Sequence, residues 1–120
     1  MAISESYRDF VLEQLGRVRP VTARRMFSGA GIYAQGLFFA LIARDRLYFK
    51  VDEATRPDFE RLGREPFRPF GEKSAMGYYE VPADVVEDVV QLASWVEKAV
   101  AVAARAKAAK GKRAKEKPGT

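Results

Sequence analysis

A chain of 120 residues, 48% of them hydrophobic, has enough apolar surface for one domain with one core. It contains no cysteine and no histidine, which excludes disulfides, Cys/His zinc sites, thiol nucleophiles and histidine-based catalysis. The formal net charge of +5 is unevenly spread: residues 105–120 hold seven bases and one acid, a local +6, and the 14 bases and 15 acids of residues 1–104 leave the body at −1.

The opening MAISESYRDF lacks the basic and apolar regions of a secretory leader, and no apolar run reaches the ~20 residues of a membrane span. A cytoplasmic protein without membrane contact is therefore expected. Ser4 or Ser6 can cap a first helix with a stripe of Tyr7, Phe10, Val11 and Leu15. Gly16 suits the left-handed position that ends such a helix, and Pro20 lies in the link to a run of strands. The patterning predicts strands at Thr22–Phe27, Gly31–Ala34, Leu37–Ala43 and Leu47–Val51. Gly36, after Gln35, supplies the positive φ of a tight hairpin, and Arg44-Asp45-Arg46 makes the next turn. Leu37–Ala43 is apolar nearly throughout, as in a strand covered on both faces, whereas Leu47, Phe49 and Val51 alternate with outward Tyr48 and Lys50.

Arg24 and Arg25 are successive strand residues and face opposite sides. Either their stems lie on apolar surface with the guanidinium at the edge, or they form an anion or partner site. Gly29 and Gly31 sit between two strands, so hairpin geometry accounts for them better than a phosphate loop does.

After Val51, Asp52 to Pro57 reads as a helix entry, with Phe59 and Leu62 as its apolar face and Gly63 as its stop. Pro66, Phe67, Pro69 and Phe70 make an extended segment. Ala75–Val81 is a fifth strand in which Tyr78 and Tyr79 face opposite sides, one toward the core and one toward the surface. A long helix follows Pro82, its stripe formed by Val85, Val86, Val89, Leu92, Ala93, Val96, Ala99, Val100 and Ala103. Trp95 and Val102 leave that stripe, so they either pack within the chain or meet a second copy in a homodimer. Phe39, Leu41, Leu47, Phe49 and Val96 are expected to share one core. Ala/Lys-rich sequence continues the helix to Gly111, and Lys112–Thr120 reads as a disordered tip.

The whole is an α+β chain: an antiparallel β-meander sheet packed by N-terminal and long C-terminal helices. Residues 1–104 form the domain and residues 105–120 a basic helix extension with a tail. Arg105, Lys107, Lys110, Lys112, Arg113, Lys115 and Lys117 can follow a phosphate backbone. No aromatic, asparagine or glutamine accompanies them, so contact with DNA or RNA would be nonspecific; the alternative is that they only solubilise the chain. Asp45, Asp52, Glu80, Glu87 and Asp88 show no metal-motif spacing and fit capping and solubility. A small-ligand domain or a carboxylate-based enzyme is the alternative that they leave open. No metal or other cofactor is expected.

The segments RRMFSGAGIY (24–33), LFFALIARDRLYFKVDEATRPDF (37–59), EPF (65–67) and GYYEVP (77–82) resemble the N-terminal domain of the TfoX/Sxy competence regulators. The likeness covers residues 4–104, and its most specific pieces are Arg25-Met26-Phe27 before the glycine turn and Tyr78 to Pro82 before the last helix. It implies an α+β domain without catalytic residues or cofactor. It also implies a role in regulating DNA transformation, as a coactivator working with a cAMP-receptor-type transcription factor. The full-length family pattern continues into a second, C-terminal domain, in whose place this chain has the short basic tail.

Overall fold

The structure, a computed structural model, describes residues 5–26, 29–68 and 77–116, without the side chains of Met26 and of residues 111–116. In chain order the elements are α1 (Glu5–Val18), β1 (Thr22–Met26), β2 (Gly29–Ala34), β3 (Leu37–Ala43), β4 (Arg46–Lys50), α2 (Arg56–Arg61), β5 (Tyr78–Glu80), α3 (Ala83–Glu87) and α4 (Val89–Glu116). The five strands pair antiparallel in sequence order, which is the expected meander. Its tight turns take left-handed backbone at Gln35 (φ 52°) and Gly36 (φ 79°), then at Arg44 (φ 54°) and Asp45 (φ 57°). Two successive positive φ values match the right-handed twist of the strands they join.

The helices cover one face of the sheet. Phe39, Ile42, Leu47 and Phe49 pack there against Val11 and Leu15 of α1, Val85 and Val86 of α3, and Leu92 and Val96 of α4. Leu41 does not join them. A bulge sets Ile32 opposite Ala40 but Tyr33 opposite Phe38, leaving Phe39 as the extra residue. Phe39 and Ala40 thus both turn to the helices, and Leu41 goes to the other face with Tyr78 and Phe67. That face is roofed by the segment after Gly63. The Phe67 N–H donates to the Tyr78 carbonyl (2.8 Å) and the Glu80 N–H to the Glu65 carbonyl (3.0 Å), with Pro66 opposite Tyr79. Both neighbouring tyrosines are therefore packed: Tyr78 is 5% exposed under this roof, and Tyr79 is half-buried against Phe59.

Several expected boundaries move. Gly16 does not end α1; the Arg19 N–H still donates to the Leu15 carbonyl (3.0 Å), and Pro20 is the first residue unable to continue. β2 begins at Gly29, β4 lies one residue earlier than expected, and β5 is shorter. Residues 27, 69, 70, 75, 76 and 117 of the expected elements lie outside the described residues. The last helix is two: Asp88 is extended (φ −114°, ψ 101°) and separates α3 from α4. Its carboxylate accepts from the N–H groups of Val90 (3.0 Å) and Gln91 (3.3 Å), capping α4. α4 then runs through Gly111 to Glu116, because one glycine costs only ~1 kcal/mol relative to alanine among strong helix formers. Trp95 and Val102 serve the chain itself: the Trp95 ring meets Phe59 edge-on at 4.9 Å, and Val102 is 2% exposed. Among the described residues, no helix is long and apolar enough to cross a membrane.

Candidate functional site

Arg105 lies just past the last buried turn of α4 and reaches back to the end of β4. Its Nη2 is 2.7 Å and its Nε 3.2 Å from Oδ2 of Asp52. The other oxygen of Asp52 accepts from the N–H groups of Ala54 and Thr55, both at 3.1 Å. The Arg105 guanidinium, with help from Thr55, holds the Asp52 carboxyl below its ordinary value. Arg105 is thereby a tie between α4 and the entry to α2 rather than a free cation. The cations beyond it differ. Lys107 and Lys110 are exposed and, among the described residues, have no ion-pair partner. At about 100° per residue, positions 107, 110 and 113 share one side of α4, and positions 112 and 115 fall elsewhere.

Arg24 and Arg25 are both exposed on β1, the open edge of the sheet. The register sets Arg24 beside Gly31, and its guanidinium lies 5.6 Å from the centre of the Tyr33 ring, which stacks on Phe38 at 5.1 Å. Arg25 is level with Ala30 and Ile42, on the helix side. The pair is thus split across the sheet as expected, and neither guanidinium is buried.

Glu80 accepts from Arg46 (3.2 Å), Asp88 caps α4, and Asp52 holds Arg105. Among the described residues, no group of three or more carboxylates could hold a metal ion. Burial pushes the Tyr78 hydroxyl up to about 12.

Sequence reasoning missed a cavity of about 250 Å³ between α2 and α4, bounded by Phe59, Leu62, Trp95 and Ala99 with Asp58 and Lys98 at its mouth. The signal was present, since Trp95 leaves the main stripe of α4, but the same spacing also suits a dimer contact.

A family model described as the TfoX N-terminal domain matches residues 13–103, from the middle of α1 to the last buried turn of α4. No curated protein matches the chain.

Proposed function

Because the chain belongs to the TfoX N-terminal domain family, we propose that it is a non-enzymatic regulatory module of the TfoX/Sxy kind, whose body engages a protein partner while the outer end of α4 lies along nucleic acid. The observation that carries this reading is the continuity of α4. One helix of 28 residues, about 42 Å long, has its first turns in the core and then exposed residues from 104 to 110, where Lys107 and Lys110 have no ion-pair partner among the described residues. A duplex held at that outer end is rigidly referred to the body, as a coactivator that joins DNA to a transcription factor requires.

A cAMP-receptor-type factor is the partner class that the TfoX/Sxy resemblance suggests, in the setting of DNA transformation. Support for a contact comes from β1, an open strand edge carrying Arg24 and Arg25, since free edges accept extended segments and charged residues restrict which ones.

Duplex DNA affinity measured against salt tests the reading. A flexible tail with seven independent cations would give a slope of log K against log salt of about −6, whereas one helix face with positions 107, 110 and 113 gives about −3. The expected result is the shallower slope, nearly abolished in Lys107→Glu/Lys110→Glu/Arg113→Glu with unchanged helical signal. Equal binding by that variant would overturn the nucleic-acid role. In parallel, a purified cAMP-receptor-type factor should be retained by the parent protein and lost with Arg24→Glu/Arg25→Glu; equal retention would remove the edge from the proposal.

A further inference from the structure

α2 is a short helix, fixed between Pro57 in its first turn and Gly63 (φ 70°) just beyond its end. It stands over α4 but does not seal against it. Phe59 is buried and lies perpendicular to the Trp95 ring, yet Leu62 keeps 52% of its surface exposed and Trp95 is only partly covered. The gap is the cavity of about 250 Å³, with Ala99 as its base. That volume falls just below the roughly 300–1,000 Å³ of drug-sized sites, so its occupant is small.

The charge at the mouth is unbalanced. Asp58 accepts from Arg61 and lies 3.9 Å from Nζ of Lys98, so one carboxylate serves two cations. The nearby acids are engaged elsewhere: Glu97 with Arg19, Asp52 with Arg105, and Glu60 as acceptor from the Tyr79 hydroxyl. Lys50, although it borders the cavity, sends its ammonium to the opposite face, 5.0 Å from the Tyr78 ring. The Lys98 side chain is 63% exposed, and an exposed ion pair at such a distance contributes little, so Lys98 can turn to another anion at small cost. One spare cation beside an apolar, aromatic wall suits a singly charged group on an apolar body. A multiply charged phosphate would call for more donors than the mouth offers.

We propose that the cavity between α2 and α4 is a binding site for a small amphipathic monoanion, a short-chain or aryl carboxylate, with its apolar part against Phe59, Leu62 and Trp95 and its carboxylate at Lys98. The site is separate from the cationic end of α4 and does not depend on nucleic-acid binding.

Trp95 is the single tryptophan of the chain, so its fluorescence reports the cavity directly. The full-length protein is titrated at fixed ionic strength with hexanoate, hexan-1-ol and hexylammonium, which share one tail and differ in head charge. Hexanoate is expected to give a saturable change at concentrations at least tenfold lower than hexylammonium, with hexan-1-ol between them. Lys98→Gln, at an exposed position, should weaken hexanoate about five- to tenfold to the level of the alcohol while leaving the alcohol unchanged. Leu62→Asp, also exposed, should weaken both. Absence of a saturable hexanoate signal, equal binding of the ammonium, or indifference to Lys98→Gln would each overturn the proposal.

Discussion

Two glycine-to-alanine substitutions, identical in chemistry, should have opposite signs. At Gly29 an added Cβ would stand 1.9 Å from the carbonyl oxygen of Ile42, 3.0 Å from its carbonyl carbon and 3.3 Å from Cα of Ala43. A carbon normally approaches a carbonyl oxygen no closer than ~3.3 Å, so β2 would have to retreat by more than ~1 Å. Every obstructing atom is backbone of β3, which is held between β2 and β4 and cannot swing aside. Overpacking typically costs ~1–3 kcal/mol; with no side chain able to yield, we expect the upper end, a fall of roughly 10 °C in Tm for a domain of this size. At Gly16, exposed within α1, an added Cβ meets nothing within 4 Å. There Gly16→Ala should stabilise by ~1 kcal/mol through helix propensity alone. Urea and thermal unfolding followed by far-ultraviolet circular dichroism measure both. Gly29→Ala within ~0.5 kcal/mol of the parent, or a destabilising Gly16→Ala, would show that this reading of the β2–β3 approach or of α1 is wrong.

Phe49 is fully buried against Phe39, with ring centres 5.8 Å apart, so Phe49→Ala should cost ~3–5 kcal/mol by leaving a cavity; a loss below ~1 kcal/mol in urea unfolding would contradict that placement. Arg105→Gln tests the tie to Asp52. Because the folded state holds this carboxyl below its ordinary value, the pair stabilises fully above the unfolded value near 4 and loses its effect as pH falls through the folded one. The stability gap between parent and variant, ~1 kcal/mol or less for so exposed a pair, should be present at pH 7 and close progressively below about pH 4; a gap independent of pH would dissociate Arg105 from Asp52.

The meander was legible because its signals are local: the alternation of Leu47, Phe49 and Val51, and a glycine after Gln35 where positive φ is needed. The bulge was not, since Leu37–Ala43 is apolar on both sides and gives no parity against which an extra residue would show. Leu41 therefore reads from sequence as a partner of Phe39 and Phe49 but lies on the opposite face. The break at Asp88 was hidden for a similar reason. Val85, Val86, Val89, Leu92 and Val96 keep a helical stripe across it, and an aspartate within such a stripe reads as an exposed residue until its carboxylate is found on the Val90 and Gln91 N–H groups. For the cationic end, the sequence located the charge but not its division. Arg105 finds its acid 53 positions away, a pairing that no spacing rule reaches, whereas Lys107 and Lys110 stand as composition suggested.

The covered outer face of the sheet determines which surfaces remain for function. A sheet with helices on one side only would present Leu41, Phe38, Tyr48 and Tyr78 as an apolar patch. Instead Phe67 lies 5.1 Å from the Tyr48 ring, Tyr78 lies 5.4 Å from Phe38, and Lys50 caps Tyr78. Among the described residues, the surfaces that stay open include the β1 edge, the cavity under α2 and residues 104–110 of α4, and two of these three belong to one helix. Along α4, Trp95 and Lys98 border the cavity, Arg105 fastens the helix to Asp52, and the free lysines follow within the next two turns. The fastening point lies between the two surfaces. Between the two surfaces Ala99, Val100 and Ala103 pack α4 on the core. Arg105 sits where a domain boundary would be drawn by composition, and its guanidinium reaches back to Asp52 at the entry to α2.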